Sequence, residues 1–244
     1  MNRFIDLLRQ SDHCVFLSGA GISTLSGIPD FRGNNGIYKK FDADKIFDID
    51  YFYSDPGYFY SHSKDFIYNV HEKEPNIIHH VLARLAKTGM VKAVITQNID
   101  LLHQKAGLQD VIELHGSPEK NTCLSCGKTF SYDHIADIVR DDRIPRCDEC
   151  SGLIKPNITF FGEMLDHEAI TRAMAESSSA DLFVVIGSSL VVHPAASLPL
   201  YSVKNNGKLV IVNNKETPLD QYATLRYEDL GLFFEILDSY FRDE

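Results

Sequence analysis

"SGAGIST" (residues 18–24) follows directly on the apolar run "CVFL" (residues 14–17), and the reading of that junction decides the fold. A buried strand that runs into a glycine-rich turn opens many nucleotide-binding α/β folds, because backbone N–H groups at a helix N-terminus can then approach a pyrophosphate. The hydride-transfer form of this turn reads G-x-G-x-x-G and enters a helix at once. Here Gly19 and Gly21 occupy the first two glycine positions, the sixth position is Thr24, and "SGIPDFRGNNG" follows at residues 26–36. Taken alone, the turn does not separate a nucleotide loop from a tight strand–helix connection.

Working outward, short apolar runs recur at residues 14–18, 92–96, 111–114, 182–187 and 209–213. They have the pattern of strands buried on both faces of a parallel sheet. Helical spacing lies between them, as in Ile77, Ile78, Val81, Leu82 and Leu85, and again at residues 170–174. This alternation predicts an α/β fold, a doubly wound Rossmann-like parallel sheet. Polar or glycine clusters close the apolar runs: "TQNID" at 96–100, "GSS" at 187–189 and "NN" at 213–214. They fall at the carboxyl edge of the sheet, where open α/β sheets place their ligands. An aromatic-rich stretch at 34–76 and a polar, cysteine-bearing stretch at 119–155 interrupt the pattern. The expected division is a discontinuous Rossmann-like domain of residues 1–33, 77–118 and 156–244, a helical insertion at 34–76, and a small zinc-ribbon-like module at 119–155.

In that module the pair Cys123 and Cys126 is matched by Cys147 and Cys150, with residues 127–146 between the pairs. Two C-x-x-C knuckles suit tetrahedral zinc, and four thiolates close its coordination shell. No position is left for water or substrate, so the expected metal is structural rather than catalytic. Two disulfides are the competing chemistry, disfavoured in a chain expected to be cytoplasmic. Cys14, inside a strand, reads as a small buried hydrophobe.

With 244 residues and 44% hydrophobic content the chain can bury one large core and carry a small module. A formal charge of -10 and a pI near 5.4 argue against non-specific grip on nucleic acid or anionic membrane. No apolar run approaches the roughly 18 residues of a membrane span. "MNRFIDLLRQ" reads as an amphipathic start rather than a signal peptide. The expected location is cytoplasmic, the expected state monomeric.

Through "GAGIS", "GIPDFRG", "TQNID", "LHG", the paired knuckles, "PNITFFGE", "GSSLVV" and "IVNN", the chain resembles the sirtuin family, the NAD-dependent protein-lysine deacylases, in its bacterial form. The resemblance spans nearly the whole sequence. It implies that NAD is consumed at its glycosidic bond and carries no hydride. It implies cofactor contacts from Gly19, Ala20, Gly21, Thr24, Asp30, Phe31 and Arg32, then from Gln97, Asn98, Ile99 and Asp100, and finally from Gly187, Ser188, Ser189 and Asn213. Asp100 would accept a hydrogen bond from the nicotinamide carboxamide and so orient the leaving group. His115, Asn98 and Asp100 form the implied catalytic set, with His115 as the base for the ribose 2'-hydroxyl, a task that suits imidazole. Zinc would sit on Cys123, Cys126, Cys147 and Cys150.

The implied substrate is an acetylated lysine peptide or protein, added as a strand between two segments. One is Ile158, Thr159, Phe160, Phe161 and Gly162; the other contains Val191 and Val192. Thr159 stands where many relatives carry an apolar residue, which makes the mouth of the apolar tunnel implied for the acyl-lysine more polar. The Tyr-x-x-Arg pair of succinyl-preferring relatives is not found, since Arg84 is the only arginine between residues 34 and 90. Acetyl groups are therefore expected over acidic acyl chains, with Lys64 as the cation that would overturn this. The products would be nicotinamide, free lysine and O-acetyl-ADP-ribose. A mono-ADP-ribosyltransferase using the same NAD site, or a non-catalytic zinc-dependent binding module, are the alternatives.

Overall fold

The computed structural model describes residues 1–31, 36–40 and 42–242. Its main sheet has six strands in the order β3-β2-β1-β7-β8-β9, made by β1 (Cys14–Ser18), β2 (Ala93–Thr96), β3 (Val111–Glu113), β7 (Leu182–Ile186), β8 (Lys208–Val212) and β9 (Leu225–Tyr227). All neighbours run parallel. The chain winds outward from β1 in one direction through β2 and β3, and from β7 in the other through β8 and β9. A crevice therefore opens beyond the carboxyl ends of β1 and β7, where the order reverses.

Alternation along each strand sends side chains to opposite faces. Phe16, Val94, Val184 and Val210 pack on one face against Phe4 and Leu8, Val81 and Leu82, and Phe233 and Phe234. These come from helices Asn2–Gln10, Ile77–Lys87 and Leu230–Phe241. Val15, Leu17, Ile95, Phe183 and Ile211 face the other way, onto Ala173 and Leu198 of helices His167–Ser179 and Leu198–Lys204. Both faces are covered, which is why the strands read as unbroken apolar runs. Helix starts are set by side chains: Asn76 accepts from the Ile78 N–H while His79 Nδ1 accepts from the Asn76 N–H, and Asp166 accepts from the Ala169 N–H.

A second, antiparallel sheet is built from β4 (Gly116–Cys123), β5 (Thr129–Ser131) and β6 (Ile154–Ile158), in the order β5-β4-β6. It begins before and ends after the boundaries 119–155 drawn from composition, because β4 and β6 must pair along their length to satisfy their backbones. Nor are the two insertions separate units. Phe47, Phe52, Phe59, Ile67 and Tyr68 share one hydrophobic cluster with Tyr132, Ile135, Val139, Ile154 and Phe160. Tyr60 Oη donates to the Ile154 carbonyl, Tyr132 Oη to the Ile67 carbonyl at 2.7 Å, and Arg140 to the Tyr68 carbonyl at 2.8 Å. Segments far apart in sequence thus form one small lobe over the crevice.

Candidate active site

Gly19 and Gly21 leave β1 against the end of β7. The Gly19 N–H donates to the Ile186 carbonyl and the Gly21 N–H to the Gly187 carbonyl, at 3.0 and 2.9 Å. A Cβ on either would lie 2.8 Å from the Gly187 oxygen. The glycines are thus required first by this close backbone crossing; their amides are spent on it and are not turned to a phosphate. After His115, Gly116 holds φ +70°, and a Cβ there would lie 2.2 Å from the Asn157 oxygen.

The turn after β2 carries a buried polar web. The Asn98 N–H donates to Thr96 Oγ1, and Asn98 Nδ2 donates to the Gly19 carbonyl and to Ser23 Oγ at 3.3 and 3.1 Å. Ser23 gives its own proton to Asp100 Oδ2 at 2.6 Å, so Ser23 can only accept from Asn98. The amide orientation of Asn98 follows: Oδ1 is left as an acceptor, buried with no partner among the described residues. Asp100 is 8% exposed and its second oxygen accepts from the Leu102 N–H at 3.0 Å. Burial raises its pKa, and the bonds from Ser23 and Leu102 oppose that.

His115 Nδ1 lies 2.9 Å from the Gln97 carbonyl, which can only accept. The proton therefore sits on Nδ1 and the lone pair on Nε2. Burial lowers the pKa of this ring, partly offset by the Gln97 carbonyl.

These elements line a cleft of about 1110 Å³. From β1 and its turn come Gly19, Ala20, Gly21, Thr24, Asp30 and Phe31; from β2, Gln97, Asn98 and Ile99. The ends of β7 and β8 supply Gly187, Ser188, Ser189 and Asn213, with Gln97 Nε2 donating to Ser188 Oγ across the crevice at 2.8 Å. His115, Ile158, Thr159, Phe160, Phe161, Gly162 and Val192 complete the residues anticipated from sequence. Asp100 is not among the described lining residues, its carboxylate being turned to Ser23 and Leu102. Val191 is not either; its side chain is 49% exposed. Arg32 lies outside the described residues.

Sequence reasoning missed part of the wall. Tyr38 and Phe47 pack on Phe31 with ring centroids 5.5 and 5.8 Å apart, forming an aromatic back wall that composition registered only as an insertion. Lys215, Glu228, Asp229, Leu230 and Gly231 line the far end without any motif. Lys64 donates to the Arg140 carbonyl and pairs with Asp142, while Arg84 pairs with Asp238. Neither cation lines the cleft.

In the small lobe the Sγ atoms of Cys123, Cys126, Cys147 and Cys150 all lie within 4.8 Å of one another, with Cys123–Cys150 at 3.5 Å and Cys126–Cys147 at 3.7 Å. Zn–S bonds of about 2.3 Å at tetrahedral angles require sulfurs about 3.8 Å apart. The thiols fit zinc. Lys128 spans to Asp148 and Glu149 of the second knuckle at 2.9 and 2.8 Å.

Residues 19–194 match the Sir2 family. A Thermotoga maritima NAD-dependent protein deacetylase is 52% identical over 227 residues, 93% of this chain and 92% of that one. A solved Sir2 structure with a p53 peptide and NAD+ superposes with a TM-score of 0.93 at 47% identity, covering 100% of this chain and 99% of that one. A Sir2Tm structure with a propionylated peptide gives 0.90 at 47% identity, covering 98% of each chain. The chain belongs to the Sir2 family.

Proposed function

We propose that the chain is an NAD-dependent protein-lysine deacetylase that converts an acetyl-lysine peptide and NAD to free lysine, nicotinamide and O-acetyl-ADP-ribose. The observation that carries this is the pairing, in one cleft, of His115, held by Nδ1 to the Gln97 carbonyl, with the segment 158–162 and the carboxyl ends of β1, β2, β7 and β8.

NAD supplies an electrophilic ribose carbon whose nicotinamide can leave. The chain supplies placement and proton handling. Gln97, Ser188 and Asn213 stand where the two ends of a dinucleotide would be held. Asn98 Oδ1, fixed as an acceptor by Ser23 and Gly19, can accept a hydrogen bond from a hydroxyl or water. His115 Nε2 takes the proton of the ribose 2'-hydroxyl, with Gln97 holding the other ring nitrogen. Residues 158–162 and 192 receive the peptide as an added strand, and Phe31, Tyr38 and Phe47 exclude water from the reacting end. Asp100, through Ser23, holds Asn98 in place. Zinc on the four cysteines closes the small lobe. A cytoplasmic location and a monomeric state belong to the same reading and rest on the sequence alone.

Incubation with an acetylated peptide and NAD tests this. Peptide-dependent nicotinamide release with O-acetyl-ADP-ribose formation is the expected result. Label transferred from NAD to protein, with the acetyl group retained, would indicate ADP-ribosyl transfer; no release at all would indicate a binding module.

A further inference from the structure

Lys155 lies on β6 and is only 6% exposed. Its ammonium donates to the Ile158 carbonyl at 2.6 Å and the Pro156 carbonyl at 3.3 Å, meets Glu163 Oε2 at 2.9 Å, and stands 4.2 Å from the centroid of the Phe160 ring. The same Glu163 oxygen accepts from the Phe160 N–H at 2.7 Å. One ion pair thus holds a carbonyl at 158 and an amide at 160. Between them, the Thr159 N–H donates to the His115 carbonyl at 2.8 Å. The Phe160 ring meets Phe47 and Phe52 edge-on, at 5.8 and 5.3 Å.

A buried ammonium is costly, and an apolar side chain of similar size would fill the same volume without that cost. What an apolar residue could not do is grip the backbone on both sides of Thr159. We propose that Lys155 is a positioning residue: with Glu163 it sets the backbone of residues 158–160, and through Thr159 it registers the peptide-receiving segment to His115. Burial draws the pKa of the ammonium down and Glu163 draws it back, which keeps the grip charge-assisted. The inference rests on the deacetylase reading, because it assigns the segment a peptide.

Steady-state kinetics with an acetyl-lysine peptide and NAD, on wild type, Lys155→Met, Lys155→Arg and Glu163→Gln, test it. Lys155→Met should raise the peptide KM roughly tenfold and lower kcat, with the NAD KM changed by less than about twofold. Lys155→Arg, which retains donors and charge, should recover most of the loss. If Lys155→Met does not fold, Glu163→Gln carries the test, and its peptide KM should rise in the same direction by a smaller factor. An unchanged peptide KM in either folded variant, both KM values rising together, or no advantage of Arg over Met would overturn the proposal. Failure of the deacetylase reading is separate, since it shows in the wild type as absent nicotinamide release and overturns both.

Discussion

The carbonyl of Gln97 decides the state of His115. Because it can only accept, it fixes the tautomer with Nε2 free, and burial lowers the pKa of the ring. A base whose pKa lies below the ordinary 6.5 stays competent as pH falls. The acidic limb of kcat/KM is therefore expected below pH 6.5; a limb above it would mean that another group controls the step. His115→Ala should cut deacetylation by about a hundredfold to ten-thousandfold, while exchange of labelled nicotinamide into NAD suffers less. Equal loss of both would remove the assignment. The web around Asn98 makes a second prediction. Asp100 reaches Asn98 only through Ser23, so Ser23→Ala should reproduce most of the exchange defect of Asp100→Ala. Full exchange in Ser23→Ala with none in Asp100→Ala would return Asp100 to direct contact with the carboxamide.

Among the elements, the β1 turn and the zinc knuckles are the least tolerant. Gly19→Ala places a methyl 2.8 Å from the Gly187 oxygen and 2.9 Å from Ser188 Cα. Those contacts are backbone and cannot swing aside, so a loss of about 1–3 kcal/mol is expected, read as a lower urea midpoint at unchanged slope. Wild-type stability would mean that the two turns can separate at little cost. Cys147→Ser should lose zinc and melting temperature together, because an incomplete thiolate shell weakens binding that is coupled to folding of the lobe. Elemental analysis alongside thermal unfolding checks this, and a variant that keeps both would show that three thiolates suffice.

At the scale of the whole molecule, two imidazoles sealed between the sheet and its helices weaken the fold in acid. His79 and His103 stand edge to face with centroids 5.1 Å apart. Burial pushes His79 down to about 3, helped by repulsion from His103 and His80, and pushes His103 down to about 4. Unfolded, both titrate near 6.5. Between the unfolded and folded values the unfolded chain binds more protons, so stability is complete above pH 6.5 and falls as pH drops, by about 1.4 kcal/mol per pH unit for each histidine. Urea unfolding followed from neutral pH to about pH 5 should show this slope, and His79→Leu should remove about 1.4 kcal/mol per pH unit of it. A pH-independent midpoint would mean that water reaches the pair.

Strand positions were legible because both faces of the sheet are covered, which forces unbroken apolar runs, and the metal site because thiolate spacing is itself the geometry. The turn after β1 and the place of His115 in the cleft were legible because their motifs sit where strands end. Those features are local, written within a few residues of each other. Tertiary structure alone decided the rest. β9 is three half-buried residues and carries no pattern of its own. The fusion of the two insertions into one lobe depends on Tyr60 reaching Ile154 and Arg140 reaching Tyr68. The close constraint on Gly19 and Gly21 is the backbone leaving β7, and the Asp100 carboxylate meets Ser23, a residue on another turn. Each of these is a contact between segments separated along the chain, and a sequence records the residues at such a contact but not their meeting.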